Sequence, residues 1–195
     1  MKIVGITGGI GGGKSTLSKL LLAEGFQVYN TDMEARRLQN ESPVIRNNLI
    51  ELFGTEVYDG AELNRKYLAN IVFNSPELLQ QLNAIVHPVV KKDFLKWSEQ
   101  FSAESYVFME CAILFEGGFN SLVDKIILVT ASEEVRIARV VKRDMLTVDQ
   151  VKARIRNQMS DEQKSKYADY IIKTDDNQDM YSKMKQLLLQ LSQQK

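Results

Sequence analysis

Lys2-Ile3-Val4-Gly5-Ile6-Thr7 runs directly into Gly8-Gly9-Ile10-Gly11-Gly12-Gly13-Lys14-Ser15, and the reading of this join decides the fold. The first six residues are short and mostly β-branched, which reads as a buried strand. The next eight fit G-x4-G-K-S without a mismatch, between that strand and a helix from Lys14 to Glu24. In the helix Leu17, Leu20, Leu21 and Leu22 form an apolar face, and Gly25 is placed to stop it. A loop wrapping a phosphate turns its backbone N–H groups inward, with positive φ at several positions, and glycine does this at no steric cost. The helix N-terminus adds its dipole to the same anion. Nucleotide phosphates are therefore expected on Gly9, Gly11, Gly12, Gly13, Lys14, Ser15 and Thr16. Lys14 reaches the β- and γ-phosphates in this reading, and the Ser15 hydroxyl ligates Mg²⁺.

Working outward, Phe26–Tyr29, Tyr106–Met109, Lys125–Val129 and Tyr170–Ile172 read as four more short strands, each near a helical pattern. Strands alternating with helices predict an α/β fold, a five-stranded parallel sheet with helices on both faces. Two stretches depart from the alternation. Glu34 to Gln100 holds helical patterns at Pro43–Leu52, Asn64–Phe73, Pro76–Ile85 and Pro88–Trp97 and no convincing strand. Ser132 to Tyr167 is helical and basic, and Asp179–Leu191 reads as an amphipathic C-terminal helix before a frayed tail from Gln190 to Lys195. The expected organisation is one unit of the P-loop, nucleoside-monophosphate-kinase-like kind. Its core comprises 1–33, 104–131 and 168–195, with a helical acceptor-binding insertion at 34–103 and a helical lid at 132–167.

Composition narrows the classes. The chain has 195 residues, 44% hydrophobic and 26% charged, ordinary values for a globular protein of one domain. The single cysteine, Cys111, cannot form an internal disulfide and reads as a small buried hydrophobe. Aliphatic runs such as Ile126–Val129 fall far short of a membrane span, and no stretch reads as a signal peptide, so the expectation is cytoplasmic with no membrane partner. With 25 basic against 25 acidic residues, a dedicated nucleic-acid binder is disfavoured. The balance is locally uneven. Arg136 to Arg156 carries seven basic residues and only Asp144 and Asp149 as acids, a patch suited to a small anionic ligand.

No N-K-x-D guanine motif is present, and the signature of transporter ATPases is missing too. A small chain of this build suits a kinase for a small metabolite, one insertion holding the acceptor and the other closing over the phosphates. The second strand runs out at Asn30-Thr31-Asp32, and ligands of parallel sheets bind outside the carboxyl ends of the strands. Asp32 is then either a base for an acceptor hydroxyl or water-mediated Mg²⁺ partner, or only an N-cap for the helix after it. Arg136, Arg139 and Arg143 fall on one helix face, where a lid arginine could neutralise a transferring phosphoryl group; Arg143 and Arg139 are favoured over Arg136. The alternative is a solvated face paired with Glu133 and Glu134. His87, the only histidine, precedes Pro88 between two helical patterns and reads as structural or as an acceptor contact. Glu110 closes the third strand and could position a Mg²⁺ water.

Nearly the whole chain resembles the dephospho-coenzyme A kinase family. The resemblance rests on Thr7 to Thr16, Asp32 with Ala35-Arg36, Leu63-Asn64-Arg65 through Val72-Phe73, and Ile85-Val86-His87-Pro88. It continues through Ile113-Leu114-Phe115-Glu116, Arg136 to Asp144, Gln158 and Ala168-Asp169. It implies ATP-dependent phosphorylation of the ribose 3′-hydroxyl of dephospho-coenzyme A, with Asp32 as base and with Lys14, Arg139 and Arg143 on the phosphates. Asp32, Arg65, His87 and Glu116 are the implied acceptor contacts, ATP and Mg²⁺ the cofactors, and a monomer or weak homo-oligomer the expected state. Three positions depart from the family pattern. Asn30-Thr31-Asp32 stands where D-A-D is usual, Glu110-Cys111-Ala112 lacks a proline, and Thr174 takes the place of an asparagine. A kinase of another nucleotide or nucleoside and a non-catalytic nucleotide-binding module are the rival readings.

Overall fold

The computed structural model describes residues 1–72, 75–176 and 178–193. Phe73, which closes an expected helix and a family match, and the last two residues of the expected tail lie outside them. In chain order the first half forms β1 (Lys2–Thr7), α1 (Lys14–Ala23), β2 (Gln27–Asn30), α2 (Thr31–Glu41), α3 (Pro43–Phe53), β3 (Tyr58–Asp59), β4 (Glu62–Leu63), α4 (Arg65–Val72) and α5 (Pro76–Glu99). The second half forms β5 (Tyr106–Glu110), β6 (Lys125–Thr130), α6 (Glu133–Asp144), α7 (Val148–Arg156), α8 (Asp161–Ser165), β7 (Tyr170–Lys173) and α9 (Met180–Gln193). These elements make two compact units, residues 1–30 with 101–195, and residues 31–100.

The first unit is built on five parallel strands in the order β2-β5-β1-β6-β7. β1 is central, so the glycine loop leaves the carboxyl end of the sheet between β5 and β6, where ligands of such sheets bind. Alternate residues Val4, Ile6, Phe108, Ile127 and Val129 face one side and bury against Leu17 and Leu21 of α1 and Met184, Leu187 and Leu191 of α9. On the other side a Cβ at Gly5 would stand 3.2 Å from Leu114 and 3.3 Å from Val123, which places the 111–123 segment on that face. Burial on both faces is why these strands read as unbroken apolar runs. α9 continues to Gln193 instead of fraying at Gln190. Leu191 is buried in the core, and the Tyr106 hydroxyl donates to its carbonyl at 2.6 Å. Those contacts offset the entropy that would otherwise loosen a chain end.

The second unit corrects two expectations. β3 and β4 form an antiparallel hairpin, pairing Tyr58 with Leu63 and Asp59 with Glu62, in a stretch read as strand-free. Two-residue strands are too short to leave an alternation in the sequence. The helices expected on either side of His87-Pro88 are one continuous helix, α5. Proline costs a helix interior about 3 kcal/mol through its missing N–H and its clash with the preceding turn. Here Leu82, Val86, Val90, Phe94 and Ser98 recur every fourth residue and are all buried, so the stripe runs unbroken past Pro88. Burying such a side chain stabilises by about 1.5–3 kcal/mol, so the stripe outweighs one lost bond.

Candidate active site

The loop between β1 and α1 takes a shape that only glycine allows at its two ends. Gly8 has φ 146°, and a Cβ there would lie 2.0 Å from the Val129 carbonyl oxygen. Gly13 has φ 103° and leads straight into α1, whose first residue is Lys14. Lys14 is buried; its ammonium donates to the Gly8 carbonyl at 2.8 Å and the Gly9 carbonyl at 3.2 Å, which holds the charge across the loop. Gly11 and Gly12 complete the turn, and Ser15 and Thr16 are exposed in the first turn of α1.

Ser15 leads to the acidic group of the site. Its hydroxyl donates to Glu110 Oε1 at 2.9 Å, while the Asn30 carboxamide donates to Glu110 Oε2 at 2.9 Å. Register explains the meeting: Asn30 pairs with Glu110 at the ends of β2 and β5, next to the start of α1. Glu110 is buried, so its carboxylate plane is set from both sides. A hydroxyl and a carboxylate side by side are hard oxygen donors of the kind Mg²⁺ takes when phosphates and water supply the rest.

The arginine stripe of α6 splits into three different roles. Arg136, least favoured from sequence, is buried and lies against the loop: a Cβ on Gly9 would stand 2.2 Å from its Nη1. It is paired at 2.7 Å with Asp161, whose other carboxylate oxygen accepts the Gly9 N–H at 2.9 Å. The Gln158 side-chain oxygen accepts the neighbouring Ile10 N–H at 3.0 Å. These groups border a cavity of about 350 Å³ that also carries Arg156 and Ser160. A larger cavity, about 550 Å³, lies between β7 and α9 and is lined by no residue of the glycine loop. Arg139 donates to the Thr174 hydroxyl and carbonyl, both at 2.7 Å, and weakly to the Gly11 carbonyl at 3.4 Å. Thr174 in turn donates to the Gly12 carbonyl at 3.0 Å, tying the loop after β7 to the glycines. Arg143 sits apart from these groups, 61% exposed and bidentate to its neighbour Asp144, whose carboxyl it holds below the usual range. Glu116 accepts from the Met159 N–H at 2.7 Å and faces the fully buried Lys164 at 3.3 Å, so it anchors the segment after α7.

In the second unit Asp32 is exposed in the first turn of α2, one residue inside the helix; it is not the residue before it. Arg65 begins α4, capped by the Asn64 side chain on the Tyr67 N–H at 3.0 Å. His87 is half-buried in mid-α5 instead of at a junction. Burial, then the charge of Lys91, pushes its imidazole below 6.5. An unfolded chain therefore takes up this proton first, and stability present above about pH 6.5 is lost as pH falls from there toward the lowered value. We expect His87→Gln to flatten that decline. Urea midpoints of both proteins between about pH 5 and 8 check it; parallel curves would refute it.

Asp161, Thr174 and Asn30 belong to the site and were not singled out as functional by pattern reading. Asp161 lies in a Ser160–Gln163 capping box, and that local role was its only sequence signal. The family description that matches is dephospho-CoA kinase, over residues 2–179. A dephospho-CoA kinase of Bacteroides fragilis is 42% identical over 190 residues, 97% of this chain and 93% of that protein. Among solved structures, TT1252 from Thermus thermophilus superimposes with a TM-score of 0.84 at 34% identity, covering 99% of this chain and 97% of that one. The dephospho-CoA kinase from Campylobacter jejuni does so with a TM-score of 0.68 at 28% identity, over 98% and 95%. A parallel sheet with a phosphate loop at its centre, Ser15 on an acidic partner and these matches along nearly the full length lead to one conclusion: the chain belongs to the dephospho-CoA kinase family.

Proposed function

We propose that this chain converts dephospho-CoA to CoA by moving the γ-phosphoryl group of ATP·Mg²⁺ onto the ribose 3′-hydroxyl, with Asp32 as base. The observation that carries the reading is the Ser15–Glu110–Asn30 contact beside the glycine loop. Loop N–H groups and the α1 dipole grip the phosphates, and Lys14 leaves the Gly8 and Gly9 carbonyls to neutralise the transferring group. Ser15 and Glu110 would hold the metal, with Asn30 fixing the carboxylate. Mg²⁺ bound there would offset charge on the β- and γ-phosphate oxygens.

Asp32 accepts the 3′-hydroxyl proton as its oxygen bonds to the γ-phosphorus and the β–γ bond breaks, leaving ADP. The second unit, with Arg65 and His87, binds the acceptor, and residues 132–167 form a lid. Arg139 and Arg136 act near the loop; Arg143 reaches phosphate only when the lid closes and Asp144 releases it. Closure excludes water, so the sugar hydroxyl wins over hydrolysis. Positioning two reactants in this way supplies about 7–11 kcal/mol of the barrier.

A coupled ADP-release assay tests the proposal. ADP is expected to appear with dephospho-CoA present and to stay at background without it. Equal release with unrelated nucleosides would move the acceptor assignment, and ATP binding without acceptor-dependent release would leave only a binding module. Among the described residues no helix is long and apolar enough to cross a membrane. A cytoplasmic location and a monomeric or weakly associating state belong to the same proposal, to be checked by fractionation and light scattering.

A further inference from the structure

The far end of the lid segment, from Gln158 to Lys164, reaches back to the core of the first unit at several points. The Gln158 side-chain oxygen accepts the Ile10 N–H at 3.0 Å, and Glu116 accepts the Met159 N–H at 2.7 Å. Asp161 takes three donors at once: the Gly9 N–H at 2.9 Å, the Arg136 guanidinium at 2.7 Å and the Thr130 hydroxyl. Lys164 is fully buried and donates to the Ala112 carbonyl at 2.9 Å. With five residues, α8 is too short to hold its own shape in water. The Ser160–Gln163 capping box closes its start, and Lys164 pins its other end to the segment after β5. Asp161 and Lys164 stand three residues apart and share the helix face turned to the core. That anchoring fixes where the Asp161 carboxylate stands.

A phosphate loop is costly to hold while empty. It gathers N–H dipoles around one point, and they repel one another until an anion arrives. Here Lys14 adds a buried ammonium to the same loop. The Asp161 carboxylate supplies a resident negative charge at the loop's start. It accepts the Gly9 N–H, while the carbonyl of the same glycine accepts from Lys14. Gln158 takes the next amide, that of Ile10. We propose that Asp161 is a positioning residue for ATP, holding the phosphate loop in its binding shape before the nucleotide arrives. The inference rests on this loop being the ATP site. In this role Asp161 acts through the Gly9 amide, without contact to substrate. A loop that must order itself on binding loses part of its interaction energy to that ordering. A preshaped loop also sets the γ-phosphorus in line with its acceptor, the factor on which phosphoryl transfer chiefly depends.

The experiment compares three variants of the full chain with wild type. Asp161→Ala removes the carboxylate. Asp161→Asn keeps one oxygen for the Gly9 N–H and sets an amide donor where Arg136 and Thr130 both donate. Arg136→Met breaks the same ion pair from the other side and leaves the carboxylate on Gly9 and Thr130. Each protein is followed by hydrogen exchange of the ligand-free loop, by calorimetric binding of ADP, and by steady-state kinetics. In Asp161→Ala the amides of residues 8–13 should exchange about tenfold faster or more, and ADP should bind about tenfold more weakly. The KM for ATP should rise in step, while the KM for dephospho-CoA stays within about twofold of wild type. Asp161→Asn falls between, and it carries the same readings if the alanine variant does not fold. Arg136→Met leaves loop exchange within about threefold of wild type, because Asp161 remains on Gly9. Unchanged loop exchange and ADP affinity in both Asp161 variants overturn the proposal, whatever their melting temperatures do. So does an equal rise of loop exchange in Arg136→Met, which would make the ion pair the support instead of the Gly9 contact. Wild-type protein that binds no ADP sinks the ATP site itself, and the proposal falls with it. Binding without acceptor-dependent ADP release removes only the acceptor assignment; Asp161 is then judged on loop exchange and ADP affinity alone.

Discussion

Lys14→Met should lower kcat by about 10²–10³-fold, the scale at which removing one preorganised charge-stabilising donor acts. Methionine keeps most of the unbranched stem and removes the ammonium, so the variant separates charge from packing. In the folded chain that ammonium is buried and shared by the Gly8 and Gly9 carbonyls. It is thus already desolvated, and its field on a phosphoryl group is screened far less than in water. Losing it leaves two loop carbonyls short of a donor, at about 1–3 kcal/mol, which lowers the melting temperature without unfolding the chain. The KM for dephospho-CoA should change little, because the second unit is untouched. Turnover within tenfold of wild type, measured by ADP release on a sample with a cooperative melt, would show that the phosphate loop does not carry the transfer.

The second large effect belongs to Asp32→Asn. A positioned general base contributes about 10²–10⁴ in rate, and the amide keeps the shape while losing the proton-accepting charge. Asp32 is exposed in the first turn of α2, so removing its charge costs stability only about 0.3–1 kcal/mol through the helix dipole. The loss should appear in kcat, with the KM values for ATP and dephospho-CoA within a few fold. A drop confined to KM would make Asp32 a binding residue, and near-normal turnover would remove the base assignment altogether.

These predictions draw on features of unequal legibility. The loop was readable because its chemistry is local: Gly8 and Gly13 need positive φ, Lys14 and Ser15 follow at fixed offsets, and a strand and helix flank them. The five strands were readable because burial on both faces demands continuous apolar runs, as in Lys125–Thr130. The β3–β4 hairpin was not, since two residues per strand leave no period. Pro88 misled in the opposite sense, because a local rule against proline was outweighed by a long buried stripe.

Among the charged residues the divergence is sharper. Helical spacing put Arg136, Arg139 and Arg143 on one face, and the sequence reading favoured Arg143 and Arg139 over Arg136. Their partners differ: Asp161 and Thr174, distant in the chain, draw Arg136 against Gly9 and hold Arg139, while the adjacent Asp144 takes both contacts of Arg143. Glu116, expected at the acceptor, also anchors Lys164 and Met159, contacts that no local pattern announces. Asn30 drew notice only as a departure from a pattern, yet strand register sets it on Glu110.

Sequence by itself determined the parallel α/β core, the glycine loop between its first strand and helix, and the family, because periodicity and glycine-lysine spacing act over a few neighbouring residues. Tertiary structure alone decided the long-range pairings, such as Arg136 with Asp161 and Glu116 with Lys164. Arg136 meets Asp161 only because segments 25 residues apart are brought together, and no local pattern records that approach.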